Sequence, residues 1–270
     1  MSRYSLGVIR RIATDLVNCT RLMGNPLLAY GYLRSGRIPQ IGAFNMGALH
    51  FRGRTEDWIA IREVLVDDEY SCVDRVFPRD ANPRVLDLGA NIGSFALRVF
   101  LRCPAAHVAS VEAAYDTFRI LEANKQANAS LSWDVLNNGV WRDDGPLTLM
   151  RRGISVGHRV VEGVGGDAVQ GISLKTLLGK LGWDRVDLIK MDIEGGEESV
   201  VPAALDTFRR TRVLIIEIHS DRIDPVPILS ALRSVYAYQW QLNDRKSSKP
   251  LYIMTNELLD LGADARRVEV

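Results

Sequence analysis

Acidic and polar side chains recur in this sequence at the points where predicted strands end. Asp87 lies near the end of one short apolar run, and Glu112, Asp192 and His219 directly follow three others. Because the carboxyl ends of parallel strands meet at one edge of a sheet, we expect these side chains to surround one crevice. Carboxylates bind hydroxyl groups and cations, and an imidazole exchanges a proton near neutral pH. The sequence therefore predicts a ligand site at this edge.

The segment from Arg84 to Phe100 predicts a strand, a glycine turn and a helix. Val85 to Leu88 is a short apolar run typical of a buried parallel strand. From Ile92 the apolar residues recur at helical spacing, until Cys103-Pro104 ends the helix. Such a unit directs backbone N–H groups and the positive end of a helix dipole at a ligand.

The turn in this unit has the pattern Asp87-x-Gly89-x-Asn91-x-Gly93, which differs from the G-x-G-x-x-G of a dinucleotide site. The side chains of Asp87 and Asn91 disfavour a pyrophosphate. They suit a cofactor that has a ribose and a cationic amino-acid tail but no phosphate. S-adenosylmethionine (SAM) fits this description, and the alternative is a glycine turn that binds nothing.

Glu112 strengthens the interpretation of this turn as a cofactor site. It follows the predicted strand His107 to Val111 and lies 19 residues after Gly93, close to the spacing at which an acidic residue holds a ribose. The alternative is a solvated glutamate at a strand end. The predicted cofactor-binding residues are Asp87, Gly89, Ala90, Asn91, Gly93, Glu112, Ala113, Asn138, Gly139 and Asp192.

A second acidic cluster follows the predicted strand Val186 to Met191. Asp192, Glu194 and Glu197 lie just beyond its end. Like charges at the mouth of a sheet shift one another's pKa values, as is typical of functional sites. The alternative, which suits Glu197 and Glu198, is that a helix N-terminus attracts acids through its dipole.

His219 follows the predicted strand Val213 to Ile218 and should lie beside Asp192. We interpret it as a general base for an acceptor hydroxyl, with Asp192 and Glu194 completing the predicted catalytic set. A structural histidine is the alternative. These three side chains could also supply ligands for a divalent ion, but the sequence does not decide this and no metal is predicted.

Composition limits the classes of protein to consider. A chain of 270 residues with 47% hydrophobic residues can form one domain, or one domain with an extension. Its net charge of +1 gives no reason to expect a nucleic-acid partner, and no apolar run reaches membrane-spanning length. Cys19, Cys72 and Cys103 show neither metal spacing nor a disulfide framework, which favours a reducing cytoplasm.

The order of elements predicts an α/β protein. Residues 1–80 form a helical N-terminal extension that covers the cofactor edge and could provide a homodimer surface. Residues 81–270 alternate strand and helix, which predicts a doubly wound, mostly parallel sheet closed by an antiparallel hairpin. Leu147 to Met150 and His158 to Val161 predict a hairpin or two edge strands. The glycine-rich segment 153–171 is either a mobile flap over the substrate or a plain surface loop.

Several of these motifs together resemble the FkbM-type family of SAM-dependent methyltransferases. The matching stretches are V-L-D-L-G-A-N-I-G at 85–93, S-V-E at 110–112, N-G-V at 138–140, V-D-L-I-K-M-D-I-E-G-G-E at 186–197 and I-E-I-H at 216–219. R-G-R-T-E-D at 52–57 and E-Y at 69–70 resemble the segment before that family's core. The resemblance covers roughly residues 40–257.

This resemblance implies a class I methyltransferase fold, a Rossmann-like sheet of seven strands in the order 3-2-1-4-5-7-6 with the last strand antiparallel. It also implies O-methylation, often of sugar or polyketide hydroxyls in natural-product or cell-surface pathways. Two alternatives stay open. One is an NAD-dependent oxidoreductase, which Asn91 and Asp87 disfavour, and the other is a non-catalytic SAM-binding protein.

Overall fold

The computed structural model describes residues 16–17, 20, 43–46, 48–54, 57–151, 157–242, 247–262 and 265–268. Most of the first part of the predicted helical extension lies outside these ranges: of residues 1–42, only Leu16, Val17 and Thr20 are described, and they are helical. In the described part of the chain, no helix combines the length and the apolar character that crossing a membrane requires.

The strands are numbered in chain order. They are β1 (Ala43–Met46), β2 (Leu49–Arg52), β3 (Arg84–Leu88), β4 (His107–Glu112), β5 (Ser132–Asn137), β6 (Gly139–Val140), β7 (Gly145–Met150), β8 (Arg159–Val161), β9 (Asp167–Ile172), β10 (Val186–Met191), β11 (Thr211–Glu217), β12 (Tyr238–Gln241), β13 (Leu251–Thr255) and β14 (Arg266–Arg267).

The helices are numbered in the same way. They are α1 (Trp58–Ile61), α2 (Val73–Val76), α3 (Ser94–Arg102), α4 (Tyr115–Ala127), α5 (Leu174–Leu181), α6 (Glu197–Ala203), α7 (Leu205–Phe208) and α8 (Pro225–Arg233), and a π-helical turn, Arg62–Val66, follows α1. Helix α3 begins two residues later than predicted, because Asn91 and Gly93 both have positive φ and keep the turn out of the helix.

The central sheet has the order β14-β12-β13-β11-β10-β3-β4-β5. Without β14 this is the predicted order of a class I methyltransferase sheet, and β13 runs antiparallel to β11 as expected. The predicted count of seven strands is corrected to eight within the described ranges. The additional strand arises because Arg266 and Arg267 pair antiparallel with the edge strand β12.

Neighbouring residues of the central strands pack on opposite faces of the sheet. Val85 and Leu188 belong to one apolar core cluster, whereas Leu86 and Ile189 belong to the other. Helix α3 covers the first face and helices α5 and α6 cover the second. The prediction of a doubly wound α/β sheet is therefore confirmed, because both faces of the buried strands are covered.

A separate four-stranded sheet of order β6-β9-β7-β8 follows β5. The predicted hairpin is present, since Leu149 of β7 pairs with Val160 of β8. The alternative of a plain surface loop is corrected for the described residues 157–171, because β8 and most of β9 lie there. The mobile flap over the substrate stays a prediction, and residues 153–156 lie outside the described ranges. Val160 packs with Leu147, Leu149 and Trp141 in a small apolar cluster that supports this pairing.

The described part of the N-terminal region packs on the same core as the central sheet. Phe51, Ile61 and Tyr70 are buried in the cluster that contains Val85. The side chain of Asn124 on α4 accepts a hydrogen bond from the Arg52 N–H and donates one to the Arg52 carbonyl, which fixes β2 against that helix. The division of the chain at residue 80 stays a prediction.

Candidate functional site

A cleft of about 1080 Å³, its open mouth included, lies at the carboxyl ends of β3, β4, β10 and β11. The N-terminal segment and the small sheet complete its walls. Among the predicted site residues, those that line the cleft are Gly89, Ala90, Asn91, Glu112, Ala113, Asn138, Asp192 and Glu194. Asp87, Gly93, Gly139 and His219 lie outside the lining.

The turn after β3 forms the floor of the cleft. The N–H groups of Gly89 and Ala90 both donate to the Val111 carbonyl at 3.0 Å, which joins the tips of β3 and β4. Gly89 has a φ of +75°, and a Cβ at this position would lie 1.8 Å from the carbonyl oxygen of Asp192. Only glycine therefore fits where the turn approaches the neighbouring strand end.

Glu112 fixes the same turn from the tip of β4. Its Oε2 accepts from the Asn91 N–H at 2.9 Å and its Oε1 accepts from the Ala114 N–H at 2.8 Å. Burial raises the pKa of Glu112 to about 7, against the opposing effect of these two hydrogen bonds. One wall of the cleft thus presents a carboxyl group beside a rigid backbone turn.

Beside this turn lies a buried lysine that the sequence analysis did not single out and that also lines the cleft. Lys190 of β10 is beside Asp87 of β3 in the sheet register, and its Nζ donates to the Gly89 carbonyl at 2.9 Å. The same Nζ lies 3.7 Å from an oxygen of Asp87 and 3.5 Å from one of Asp192. In the sequence, the sign of a special role for Lys190 was its position inside an otherwise apolar strand.

Asp87 is completely buried beneath the turn and does not face the cleft. Its Oδ2 accepts a hydrogen bond from the Ser110 hydroxyl at 3.3 Å. Burial raises the pKa of Asp87, while the charge of Lys190 opposes this effect. Asp87 is therefore placed to hold Lys190 and the turn, rather than to contact a ligand.

His219 is also completely buried, behind the carboxylates that line the cleft. Its Nδ1 lies 3.0 Å from Glu197 Oε1, and its Nε2 lies 3.1 Å from Glu194 Oε2 and 3.7 Å from Asp192 Oδ1. Although burial disfavours the charged ring, Glu194 and Glu197 raise the pKa of His219 to about 10. The prediction that His219 faces an acceptor hydroxyl is corrected, because the side chain does not reach the cleft.

Helix α6 explains this burial. Glu197, its first residue, has no exposed surface, and its Oε1 also accepts from the Ile193 N–H at 3.2 Å. Glu197 therefore fixes the loop after β10 and covers one side of the His219 ring. The predicted grouping of Asp192, Glu194 and His219 is present, but as a layered cluster in which only the two acids line the cleft.

A model of the FkbM methyltransferase domain matches residues 87–240, which is more than half of the chain. The chain belongs to the FkbM methyltransferase family. The resemblance to this family that the sequence motifs indicated is therefore confirmed. Membership in a methyltransferase family also counts against the alternative of an NAD-dependent oxidoreductase. The matched domain includes both the glycine turn and the acidic cluster.

Similar proteins were found by sequence and by structure. The AMB antimetabolite synthetase AmbE of Pseudomonas aeruginosa is 27% identical over 203 residues, covering 60% of this chain and 9% of the synthetase. A methyltransferase FkbM from Methylobacillus flagellatus KT has 13% identity and a TM-score of 0.49, covering 92% of this chain and 60% of its own. A SAM-dependent methyltransferase from Agrobacterium tumefaciens has 12% identity and a TM-score of 0.46, covering 81% of this chain and 71% of its own.

In this FkbM methyltransferase, further residues line the cleft that the sequence analysis did not assign. Glu69 and Tyr70 reach it from the N-terminal segment, His158 from the residues before β8, and Glu217 from the end of β11. The E-Y pair at 69–70 was visible in the sequence, but nothing in its spacing indicated proximity to the strand tips. Glu217 was visible as an acid within an apolar run.

The pKa values of these additional acids are raised. Burial and then repulsion from Glu63 raise the pKa of Glu69 to about 7. Burial and then repulsion from Asp192 raise the pKa of Glu217 to about 9. Glu194 differs, because His219, together with nearby cations, outweighs burial and lowers its pKa to about 2. The cleft thus contains carboxyl groups in both protonation states near neutral pH.

Proposed function

We propose that this FkbM methyltransferase transfers the methyl group of SAM to a hydroxyl group of a small molecule, such as a sugar or a polyketide-type natural product. The observation that carries the proposal is that one cleft is lined both by the glycine turn with Glu112 and by several acids from distant segments. We assign the cofactor end to Gly89, Ala90, Asn91, Glu112, Ala113 and Asn138. We assign the acceptor end to Glu69, Asp192, Glu194 and Glu217.

At the cofactor end, we place the methionine part of SAM over the turn at Gly89 to Asn91. Glu112 lies where one carboxyl group can accept from both ribose hydroxyls. Ala113 and Asn138 would border the adenine. Three of the predicted residues do not line the cleft, and we expect them to support its wall rather than to contact the cofactor. Asp87 holds Lys190 beneath the turn, Gly93 lies close to Trp133, and Gly139 lies close to Val169.

At the acceptor end, the reaction needs little from the protein beyond placement and a base. The sulfonium is already a good leaving group, so an in-line approach of the acceptor oxygen transfers the methyl group and leaves a neutral thioether. The hydroxyl proton must go to a group within hydrogen-bond reach. Carboxylates beside the reacting centre also favour binding of the positively charged donor.

Glu69 is the group we propose as this base. It lines the cleft, and its pKa of about 7 places it near the working pH at which a general base is most effective. Glu217, with a pKa of about 9, is mainly protonated there and suits a hydrogen-bond donor to the acceptor. His219 is excluded from this role by its burial and by a pKa of about 10, which keeps it charged.

The same acids favour a hydroxyl acceptor over an amine. An amine must be neutral to attack the methyl group, and nearby carboxylates favour its protonated, unreactive form. A hydroxyl group is neutral in this pH range and can donate a hydrogen bond to them. The similarity to a synthetase of an antimetabolite supports a natural-product acceptor. A cytoplasmic location, a homodimer and the absence of a nucleic-acid partner stay predictions.

The test combines calorimetry with a methyl-transfer assay on sugar and polyketide hydroxyls. We expect S-adenosylhomocysteine (SAH) to bind. We also expect kcat/KM for the acceptor, measured at saturating SAM, to rise with pH through about 7 as Glu69 ionises. Glu69→Gln should lower turnover by about 10²-fold and remove this pH dependence, with SAH affinity retained. Glu69→Asp, which keeps the carboxylate, should recover part of the turnover. Transfer only to amines, or an unchanged pH profile in Glu69→Gln, would contradict the proposal.

A further inference from the structure

We propose that Asp192, Glu194 and His219 form a binding site for a divalent metal ion. The inference deepens the proposed function, because Asp192 and Glu194 line the acceptor end of the cleft and His219 lies directly behind them. An ion held there would face the acceptor hydroxyl. The proposal rests on the distances between the three side chains and on the position of a buried ring.

The distances between the three side chains match those between ligands of one ion. One ligand atom from each residue lies within 4.8 Å of the others. His219 Nε2 is 3.1 Å from Glu194 Oε2 and 3.7 Å from Asp192 Oδ1. Ligand atoms at about 2.1 Å from a metal are about 3–3.5 Å apart in tetrahedral or octahedral geometry. A small shift of Asp192, which is 27% exposed, would complete the set.

The His219 ring gives an independent indication of a ligand. Its side chain has no exposed surface. Its Nε2 lies near Glu194 Oε2 and Asp192 Oδ1 but forms a hydrogen bond with neither. Its other nitrogen, Nδ1, lies 3.0 Å from Glu197 Oε1, which suits donation of the Nδ1 proton to that acid. An ion bound by Asp192 and Glu194 would replace the proton on Nε2, while Glu197 keeps the proton on Nδ1. A carboxylate behind a histidine is the usual support of a metal-binding ring.

The donor set indicates the class of ion. One imidazole nitrogen and two carboxylate oxygens form a ligand set that suits first-row divalent ions such as Mn²⁺. Three protein ligands leave coordination positions open towards the cleft. An acceptor oxygen bound there would be oriented and made more acidic.

The experiment measures binding of Mn²⁺ alone to metal-stripped protein, by electron paramagnetic resonance and calorimetry. Wild type should bind one ion. His219→Ala and Asp192→Asn should each weaken binding by at least 10-fold, and Glu197→Gln should weaken it by roughly 10- to 100-fold, since it supports the ring without touching the ion. Glu63→Gln, which changes a cleft carboxyl outside the ligand set, is the matched control and should bind like wild type.

Two further measurements separate the possible results. Thermal unfolding of each variant shows whether it folds, and Asp192→Asn keeps the shape of the side chain if His219→Ala does not fold. SAH calorimetry on the same samples shows whether the cofactor end is intact. Absence of Mn²⁺ binding at millimolar concentration, or equal binding by wild type and Asp192→Asn, would overturn the metal site. Neither result would affect SAH binding or the pH profile of Glu69, which test the proposed function separately.

Discussion

The cofactor end and the acceptor end of the cleft differ in how their polar groups are paired. At the cofactor end, both oxygens of Glu112 accept backbone hydrogen bonds, and the turn is joined to β4 through the Val111 carbonyl. At the acceptor end, Asp192 and Glu217 repel each other, and Glu217 has a raised pKa. The first end is complete without a ligand, whereas the second carries an excess of acid.

This difference indicates where each end obtains its stability. The cofactor end is held by the backbone and by glycine geometry, so its shape should persist in the free protein. The acceptor end contains like charges that are costly to bury, and such groups are retained at functional sites. Lys190 joins the two ends, since it contacts the Gly89 carbonyl and lies between Asp87 and Asp192.

Removal of the Lys190 charge should have the largest effect. Lys190→Met leaves Asp87 without its ion-pair partner in a fully buried position. Breaking a buried pair by removing one partner costs about 3–5 kcal/mol, so we expect a loss of this size in the free energy of unfolding. Chemical denaturation measures it. Lys175→Met, at an exposed position on α5, is the control and should change stability by less than about 0.5 kcal/mol. Equal effects in the two variants would show that Lys190 does not join the two ends.

Gly89→Ala should affect the cofactor end next most strongly. The added Cβ would lie 1.8 Å from a backbone oxygen of Asp192, so the turn must move. Overpacking costs roughly 1–3 kcal/mol and the positive φ adds about 1–2 kcal/mol, which gives an expected loss of roughly 2–5 kcal/mol. SAH binding should be lost as well, and calorimetry measures it.

Gly182→Ala separates the two contributions in this experiment. Gly182 has a φ of +66°, close to that of Gly89, but a Cβ there would contact nothing within 4 Å. It should therefore cost only the conformational part, about 1–2 kcal/mol, and leave SAH binding unchanged. If Gly89→Ala were no more harmful than Gly182→Ala, the close approach of the turn to Asp192 would not matter.

The cofactor end could be predicted because its determinants are local in the sequence. The strand, the glycine turn and the helix are consecutive, and Glu112 follows at the spacing of the next strand. The strand order agreed with the family resemblance for the same reason, since alternating strands and helices leave few topologies. Among the described strands of the central sheet, only β14 was missed, because two arginines carry no strand pattern.

The acceptor end could be predicted only in part because it is assembled from distant segments. Glu69 and Asp192 are far apart in the chain, and no periodicity connects them. The sequence placed His219 correctly at a strand tip but could not show that α6 covers it, since this depends on how Glu197 packs. A position at a strand end thus predicts proximity to the site, but not contact with a ligand.

Substitution of Glu112 tests whether its pairing matters for binding. Glu112→Gln replaces one acceptor oxygen with a donor that faces a backbone N–H, either that of Asn91 or that of Ala114. A hydrogen bond to a charged group contributes about 1.5–3 kcal/mol, so SAH affinity should fall roughly 10- to 100-fold.

The pH dependence of the same binding gives a second measurement. Because the pKa of Glu112 is raised to about 7, the ionised form that accepts hydrogen bonds becomes populated as pH rises through that value. Wild-type SAH affinity should increase over this interval, as calorimetry can measure, and Glu112→Gln should show no such increase. A wild-type affinity independent of pH would show that the ribose does not use this carboxylate.

The smallest expected effect concerns the surface contact between the small sheet and the core. Arg151, directly after β7, makes two 3.0 Å contacts with Asp116 of α4. Hydrogen bonds from Arg151 lower the pKa of Asp116 to about 2. Both side chains are 44% exposed, so the pair should contribute at most about 1 kcal/mol. Arg151→Ala should lower the free energy of unfolding by this amount near neutral pH.

The sign of the pH effect follows from the lowered pKa. Asp116 titrates near 3.8 when unfolded and near 2 when folded, so the stabilisation is present above about pH 4 and is lost as pH falls towards 2. Urea unfolding across this interval should show the curves of wild type and Arg151→Ala converging. Arg119→Ala, which removes an exposed contact of 3.8 Å on the same helix, should show almost no difference at either pH. If Arg151→Ala lowered the free energy of unfolding by several kcal/mol, this expectation would be wrong. The exposed contact of Arg151 with Asp116 would then contribute as much to stability as the buried Lys190.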